Sequence, residues 1–230
     1  MERALSITPV PSSLDDPRVR TTIDDARNHL LVRDRRYSLI AMELSSVWFA
    51  GASSLYSAEF YRLIRSHLTD DGVYQQWVQM HHIYRPVFAA LVNTLRREFA
   101  HVALFYGGGQ GILVSSKAPL HWSPSRSTRT QSEPAFADML PSGRPLTVLT
   151  DDILAMDEGL DRFIADSTGE AGMDLRRFVS NDDNLFLEYQ TPRGNVLPWE
   201  AREALVETVR SYRDPTAVAA LDTDGVRIAN

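Results

Sequence analysis

The stretch Tyr37-Ser38-Leu39-Ile40-Ala41-Met42-Glu43-Leu44-Ser45-Ser46-Val47-Trp48 decides the fold. Its first six residues form a nearly continuous apolar run, closed by an acid. A strand buried on both faces of a sheet reads this way. Upstream, Val19 to Ile23 alternates in strand fashion, Asp24-Asp25 ends it, and Ala26 to Val32 can start a helix. Downstream, Ser57 is a fair N-cap for a helix through His67, with Ala58-Glu59 in its first turn. Asp71-Gly72 breaks that helix, and Val73 to Val78 reads as the next strand. Pro86 suits the first turn of a helix running to Phe99. His101 to Tyr106 and Ile112 to Ser115 then flank Gly107-Gly108-Gly109-Gln110-Gly111 as a hairpin would.

Strands alternating with helices predict a parallel sheet with helices on both faces. Ligands in such sheets bind beyond the carboxyl ends of the strands. Asp25, Glu43 and Gln79 all fall near such ends. The expected fold class is therefore α/β, with a helical appendage at the C-terminus. Residues 1–17 read as an irregular lead-in and 18–117 as the sheet domain. Residues 118–147, with five prolines, read as a loop or flap, and 148–230 as an appendage on the same domain. Within it, Thr150-Asp151-Asp152 is expected to cap a helix through about Ile164, and Leu185 to Tyr189 to form a short strand. Pro198 opens an amphipathic helix to about Arg210, and the last 15 residues read as frayed.

Composition narrows the function. The 230 residues are 43% hydrophobic and 23% charged, the balance of an ordinary globular protein. A net charge of −6 disfavours nucleic acid. The absence of cysteine excludes disulfides, thiolate nucleophiles and cysteine-based metal sites, and fits a reducing, cytoplasmic setting. No stretch approaches the roughly 20 apolar residues that cross a bilayer. His81-His82 lacks an evident third ligand, so no metal is expected. The glycine cluster at 107–111 is followed by a strand rather than a helix, so it reads as a turn and not a phosphate loop. Asp151-Asp152 and Asp182-Asp183 read as helix starts or turns.

Asp16-Pro17-Arg18-Val19, Asp25-Ala26-Arg27-Asn28, Glu43 through Tyr61 (ELSSVWFAGASSLYSAEFY), Asp71-Gly72-Val73 with Gln75-Gln76-Trp77, and Asn181-Asp182-Asp183-Asn184 with Leu187-Glu188-Tyr189 together resemble one family. It is the polyamine aminopropyltransferases, the spermidine synthase-like proteins, and most of all their bacterial branch fused to a membrane transporter-like region. The resemblance covers residues 15–117 closely and 180–195 in patches. It implies a methyltransferase-like Rossmann fold, a polyamine acceptor and decarboxylated S-adenosylmethionine as donor. It places Asp25 and Ala26 at the adenine and Glu43 at the position of the base. Ser46 falls at the second acid of the family's Asp-x-x-Asp motif, with Tyr56 and Gln79 beside the acceptor. An ammonium must lose a proton before it can attack, so a carboxylate is needed there. A second carboxylate holds the cationic tail in line.

The chain departs from the family in three ways. Glu43 is one methylene longer than the aspartate, and Ser46 carries no charge. The family's glycine-rich turn after its first strand, and the acid after its second, would precede residue 15, where only the lead-in stands. Two middle strands of the sheet go with them, leaving Tyr37–Met42 with an open apolar edge. That edge is expected to be covered by Val19–Ile23, by a protein partner or by another copy of the chain. The chain alone is expected to bind no cofactor and to be inactive. The alternatives are a non-catalytic binding module of methyltransferase fold and a gene fragment.

Overall fold

The computed structural model describes residues 16–44, 47, 51–133 and 144–224. Helix α1 (Ala26–Leu31) leads into β1 (Tyr37–Met42), and a 3-10 turn (Ala52–Tyr56) leads into α2 (Ala58–His67). Strand β2 (Leu68–Val78), helix α3 (Arg85–Glu98), and the hairpin β3 (His101–Gly107) and β4 (Gln110–Ser116) follow. The remainder is α4 (Pro124–Gln131), β5 (Ile153–Met156), α5 (Glu158–Ala171), α6 (Phe186–Gln190), α7 (Ala201–Arg210) and α8 (Pro215–Ala219).

The strands form one sheet in the order β1-β2-β4-β3-β5. Only β1 and β2 are parallel, and every other pairing is antiparallel. The fold is thus mixed α/β, a partial Rossmann-like sheet of five strands. Gly108 and Gly109 turn the β3–β4 hairpin at φ 58° and 82°, a two-residue loop between the paired Gly107 and Gln110. Both central residues of such a turn need the left-handed region, which glycine enters freely.

Side chains alternate between the faces of a strand, so the pairing register sorts them into two layers. Tyr74 and Val78 of β2, Leu113 of β4, and Val102 and Leu104 of β3 share one face. They belong to the same buried cluster as Phe60, Tyr61 and Ile64 of α2, nearly all of α3, Phe163 of α5, and Leu205 and Val209 of α7. The second face carries Leu39 and Ala41 of β1, Val73 and Gln75 of β2, and Ile112 and Val114 of β4. Here Leu39 is 57% exposed and its neighbours are half-buried or exposed. Only the β3–β5 end of this face is packed, by a small cluster of Ala103, Ile153, Met156, Val218 and Leu221. The long helices therefore lie on one side of the sheet among the described residues, not on both as expected.

Several local expectations change. Val19–Ile23 forms no strand, and Ile23 is fully exposed. It does not cover β1, which has β2 as its sole neighbour among the described residues. The Tyr37–Met42 strand is half-open rather than buried on both faces. Asp71-Gly72 lies inside β2, which already begins at Leu68. The stretch read as a loop, 118–147, contains α4, and its residues 134–143 lie outside those described. Thr150–Asp152 ends a 3-10 turn and leads into β5, so the helix starts later, at Glu158. Leu185–Tyr189 enters a helix. The tail is not frayed at 215–219, because Asp214 caps α8 and Val218 is buried.

Candidate functional site

The parallel pair β1–β2 brings two chain segments to the same end of the sheet. Met42 pairs with Gln76, so the residue after β1, Glu43, emerges beside the end of β2. Glu43 is exposed. Its nearest marked effect is on Tyr56: burial first, and then the Glu43 charge, pushes the Tyr56 phenol far above its ordinary range and keeps it neutral. Tyr56 is fully buried, and its hydroxyl donates to the carbonyl of Trp77 at 3.2 Å.

Gln76 is the polar centre beneath this end. It is fully buried, its Oε1 accepts from the Tyr61 hydroxyl at 2.9 Å, and its Nε2 donates to the Leu55 carbonyl at 3.3 Å. Burial raises the Tyr61 and Tyr74 phenols as well. All three tyrosines are therefore neutral and buried, and none can act as a base. Gln79 follows β2 and is buried; its Nε2 donates to the His81 carbonyl at 2.7 Å. Its Oε1 is buried without a partner among the described residues. An unpaired buried carbonyl of this kind costs about 1–3 kcal/mol.

Asp25 sits elsewhere in the local logic. It is exposed and caps α1, its Oδ1 accepting from the Asn28 N–H at 2.8 Å. Ala26 is the first residue of that helix. Ser46 lies outside the described residues. The structure therefore brings Glu43, Tyr56 and Gln79 to one end of the sheet and makes Asp25 a helix cap.

Sequence reading missed how the segment after residue 180 closes over this region. Arg27 makes a two-pronged ion pair with Asp182, whose carboxyl is held below its ordinary range by that guanidinium. The Asp182 N–H donates to Glu59 Oε2 at 3.1 Å. Glu188 Oε2 accepts from the Ser53 hydroxyl at 2.8 Å and from the Gly51 N–H at 3.4 Å. The available signal was the Asn181–Tyr189 motif itself, whose acids looked like turn formers. Two cavities of about 340 Å³ lie elsewhere, one lined by Arg96 and Asp161, the other by Trp122 and Arg213. Among the described residues no group of acids and histidines could hold a metal ion, and no helix is long and apolar enough to cross a membrane.

Parts of this sequence are similar to curated proteins. A polyamine aminopropyltransferase of Aeropyrum pernix is 33% identical over 93 residues, which are 39% of this chain and 29% of that protein. Over less than half of its length the chain is similar to polyamine aminopropyltransferases. A polyamine aminopropyltransferase of Synechococcus is 31% identical over 125 residues, 49% of this chain and 38% of the relative. Polyamine aminopropyltransferase 2 of Aquifex aeolicus is 24% identical over 116 residues, 48% of this chain and 24% of the relative. The chain thus spans well under half the length of the curated relatives that it matches. No family model matches it.

Proposed function

We propose that this chain forms the amine-acceptor side of an aminopropyltransferase-type site and is inactive by itself. The observation that carries the reading is the position of Glu43 at the carboxyl end of β1, beside the buried, neutral Tyr56. An exposed carboxylate there can take the proton from an ammonium so that the nitrogen lone pair becomes free to attack. Ser46 and Gln79 would line the acceptor with neutral polar groups.

The donor that the likeness implies, decarboxylated S-adenosylmethionine, does not fit the described residues alone. Asp25, the acid in the adenine position, already caps its own helix, and the glycine cluster closes a hairpin rather than opening a helix. The edge of β1 and the half of the second face that the described residues leave uncovered suit a protein partner, or another copy of the chain, that would hold the nucleoside. A membrane-fused setting of the bacterial branch is one such arrangement, and a cytoplasmic location of this domain agrees with it.

A second reading, a non-catalytic binding module, is favoured by Ser46 in place of the anchoring acid. Calorimetry of the isolated chain with decarboxylated S-adenosylmethionine tests both: no binding is expected, and micromolar affinity would overturn the need for a partner. Putrescine aminopropylation by the isolated chain, lost in Glu43→Gln, would establish an enzyme that works unaided.

A further inference from the structure

A second polar cluster stands just beyond the end of β2. His81 and His82 are each half-buried, with ring centroids 5.1 and 5.8 Å from that of Trp199. The Arg202 guanidinium lies 4.5 Å over the same indole. Arg202 comes from α7 and reaches the tip of the β3–β4 hairpin, close to Gly109. Its side chain is only 16% exposed.

The anomaly is the weakness of the counter-charge. Among the described residues no side-chain N–H of Arg202 makes a hydrogen bond, and its Nε is fully buried without a partner. Its ion pair with Glu203 is long, at 3.7 Å, and the acid is largely solvated. Neither ring nitrogen of His81 has a partner among the described residues, and His82 uses only Nδ1, bonded at 3.0 Å to the Leu197 carbonyl. Burial, then His82 and Arg202, pushes the His81 imidazole below its ordinary range. Buried cations are normally paired, because desolvation without compensation is costly. A protein of net charge −6 that gives this arginine only one long ion pair, to a largely solvated acid, is short of negative charge at this place.

We infer that His81, His82 and Arg202, shelved against Trp199, form a subsite for an oxyanion, the carboxylate or phosphate group of a small molecule. A planar anion can take two parallel hydrogen bonds from a guanidinium, and a ring N–H of His81 can add a donor. The Trp199 ring fixes the guanidinium plane from below. The backbone carbonyl of His81 also receives the Gln79 amide at 2.7 Å, so an occupant here would be coupled to the residue at the end of β2.

The test needs neither donor nor activity, so it stands whether or not the aminopropyl reading does. Inorganic phosphate and succinate are titrated separately into the full chain, following the His81 and His82 ring resonances and the heat. Saturable millimolar binding of either ion is expected, and its preference tells a phosphate from a carboxylate ligand. Arg202→Gln should weaken binding by about tenfold or more, the size of one lost charge-assisted hydrogen bond, and Arg202→Lys by less. Arg176→Gln, an exposed arginine on another face, should leave it unchanged. If Arg202→Gln fails to fold, the pair His81→Gln with His82→Gln serves in its place. Absence of saturable binding, or equal affinity in the Arg202 or histidine variants, overturns the subsite.

Discussion

Arg27 Nη1 stands 3.1 Å from Asp182 Oδ1, joining residues 155 positions apart. The pair ties α1 to the turn ahead of α6, and with it the two separated patches of family-like sequence become one surface. Partial burial on both sides, 24% and 35% exposure, moderates solvent screening. Arg27→Ala or Asp182→Asn should each cost about 1 kcal/mol, and a double-mutant cycle in urea should return a coupling of similar size.

The same pair sets an acid limit. The Asp182 carboxyl titrates below its ordinary 3.8 when folded, so it contributes stability above that value. The contribution is lost as pH falls through the folded value. Urea midpoints measured from pH 5 downward should fall more steeply for the native chain than for Asp182→Asn. Parallel curves would remove the pair from the acid response.

His81 produces a separate, milder slope. Its imidazole is held below the ordinary 6.5, first by burial and then by His82 and Arg202. Below that pH the unfolded chain takes up a proton that the folded chain resists, so stability falls as the solution is acidified. His81→Gln should flatten the thermal midpoint between pH 7 and 5.

Leu39 tests the bare side of the sheet. At 57% exposure its replacement by Glu should change stability little. Light scattering should nevertheless show that the native chain self-associates and that Leu39→Glu does so less. A native chain that stays monomeric at high concentration would mean that the face is covered.

Gly194 lies against the backbone of His82 so closely that a methyl group would collide with the carbonyl oxygen, and it would meet Ile83 Cα at 3.0 Å. Backbone cannot swing aside as a side-chain tip can. Gly194→Ala should therefore destabilise the protein by about 2 kcal/mol or more, read as a lowered thermal midpoint. It should also disturb the His82–Leu197 bond, visible in the His82 ring resonances.

The central sheet was legible because its signals are local and repeated. Ser57 accepts from the Phe60 N–H as a cap should, Pro86 sits in the first turn of α3, and paired glycines turn the hairpin. Failures came where a distant partner decides. Val19–Ile23 alternates well but finds no neighbouring strand among the described residues. Ile153–Met156 becomes a strand because β3 offers it an edge, with Asp157 Oδ1 accepting from the Val102 N–H at 2.8 Å. Leu185–Tyr189 looks strand-like in composition, yet Asn181 Oδ1 gathers the N–H groups of Asp183 and Asn184 and starts a helical turn. At the site, Glu43 and Gln79 could be read from strand ends. The Arg202 guanidinium, with no hydrogen bond among the described residues, could not, since a sequence does not say which charges lack partners.

A strand with one neighbour has a shorter lifetime in its bonded state than a strand with two. Among the described residues β1 is held by a single parallel ladder whose register slips between Tyr37 and Leu39, whereas β4 is gripped on both sides. Amide exchange with heavy water should therefore empty β1 well before β2, β3 and β4, through openings that leave the hairpin intact. Glu43 hangs from the end of β1, so the aim of its carboxylate is set by a segment that opens before the sheet's centre does.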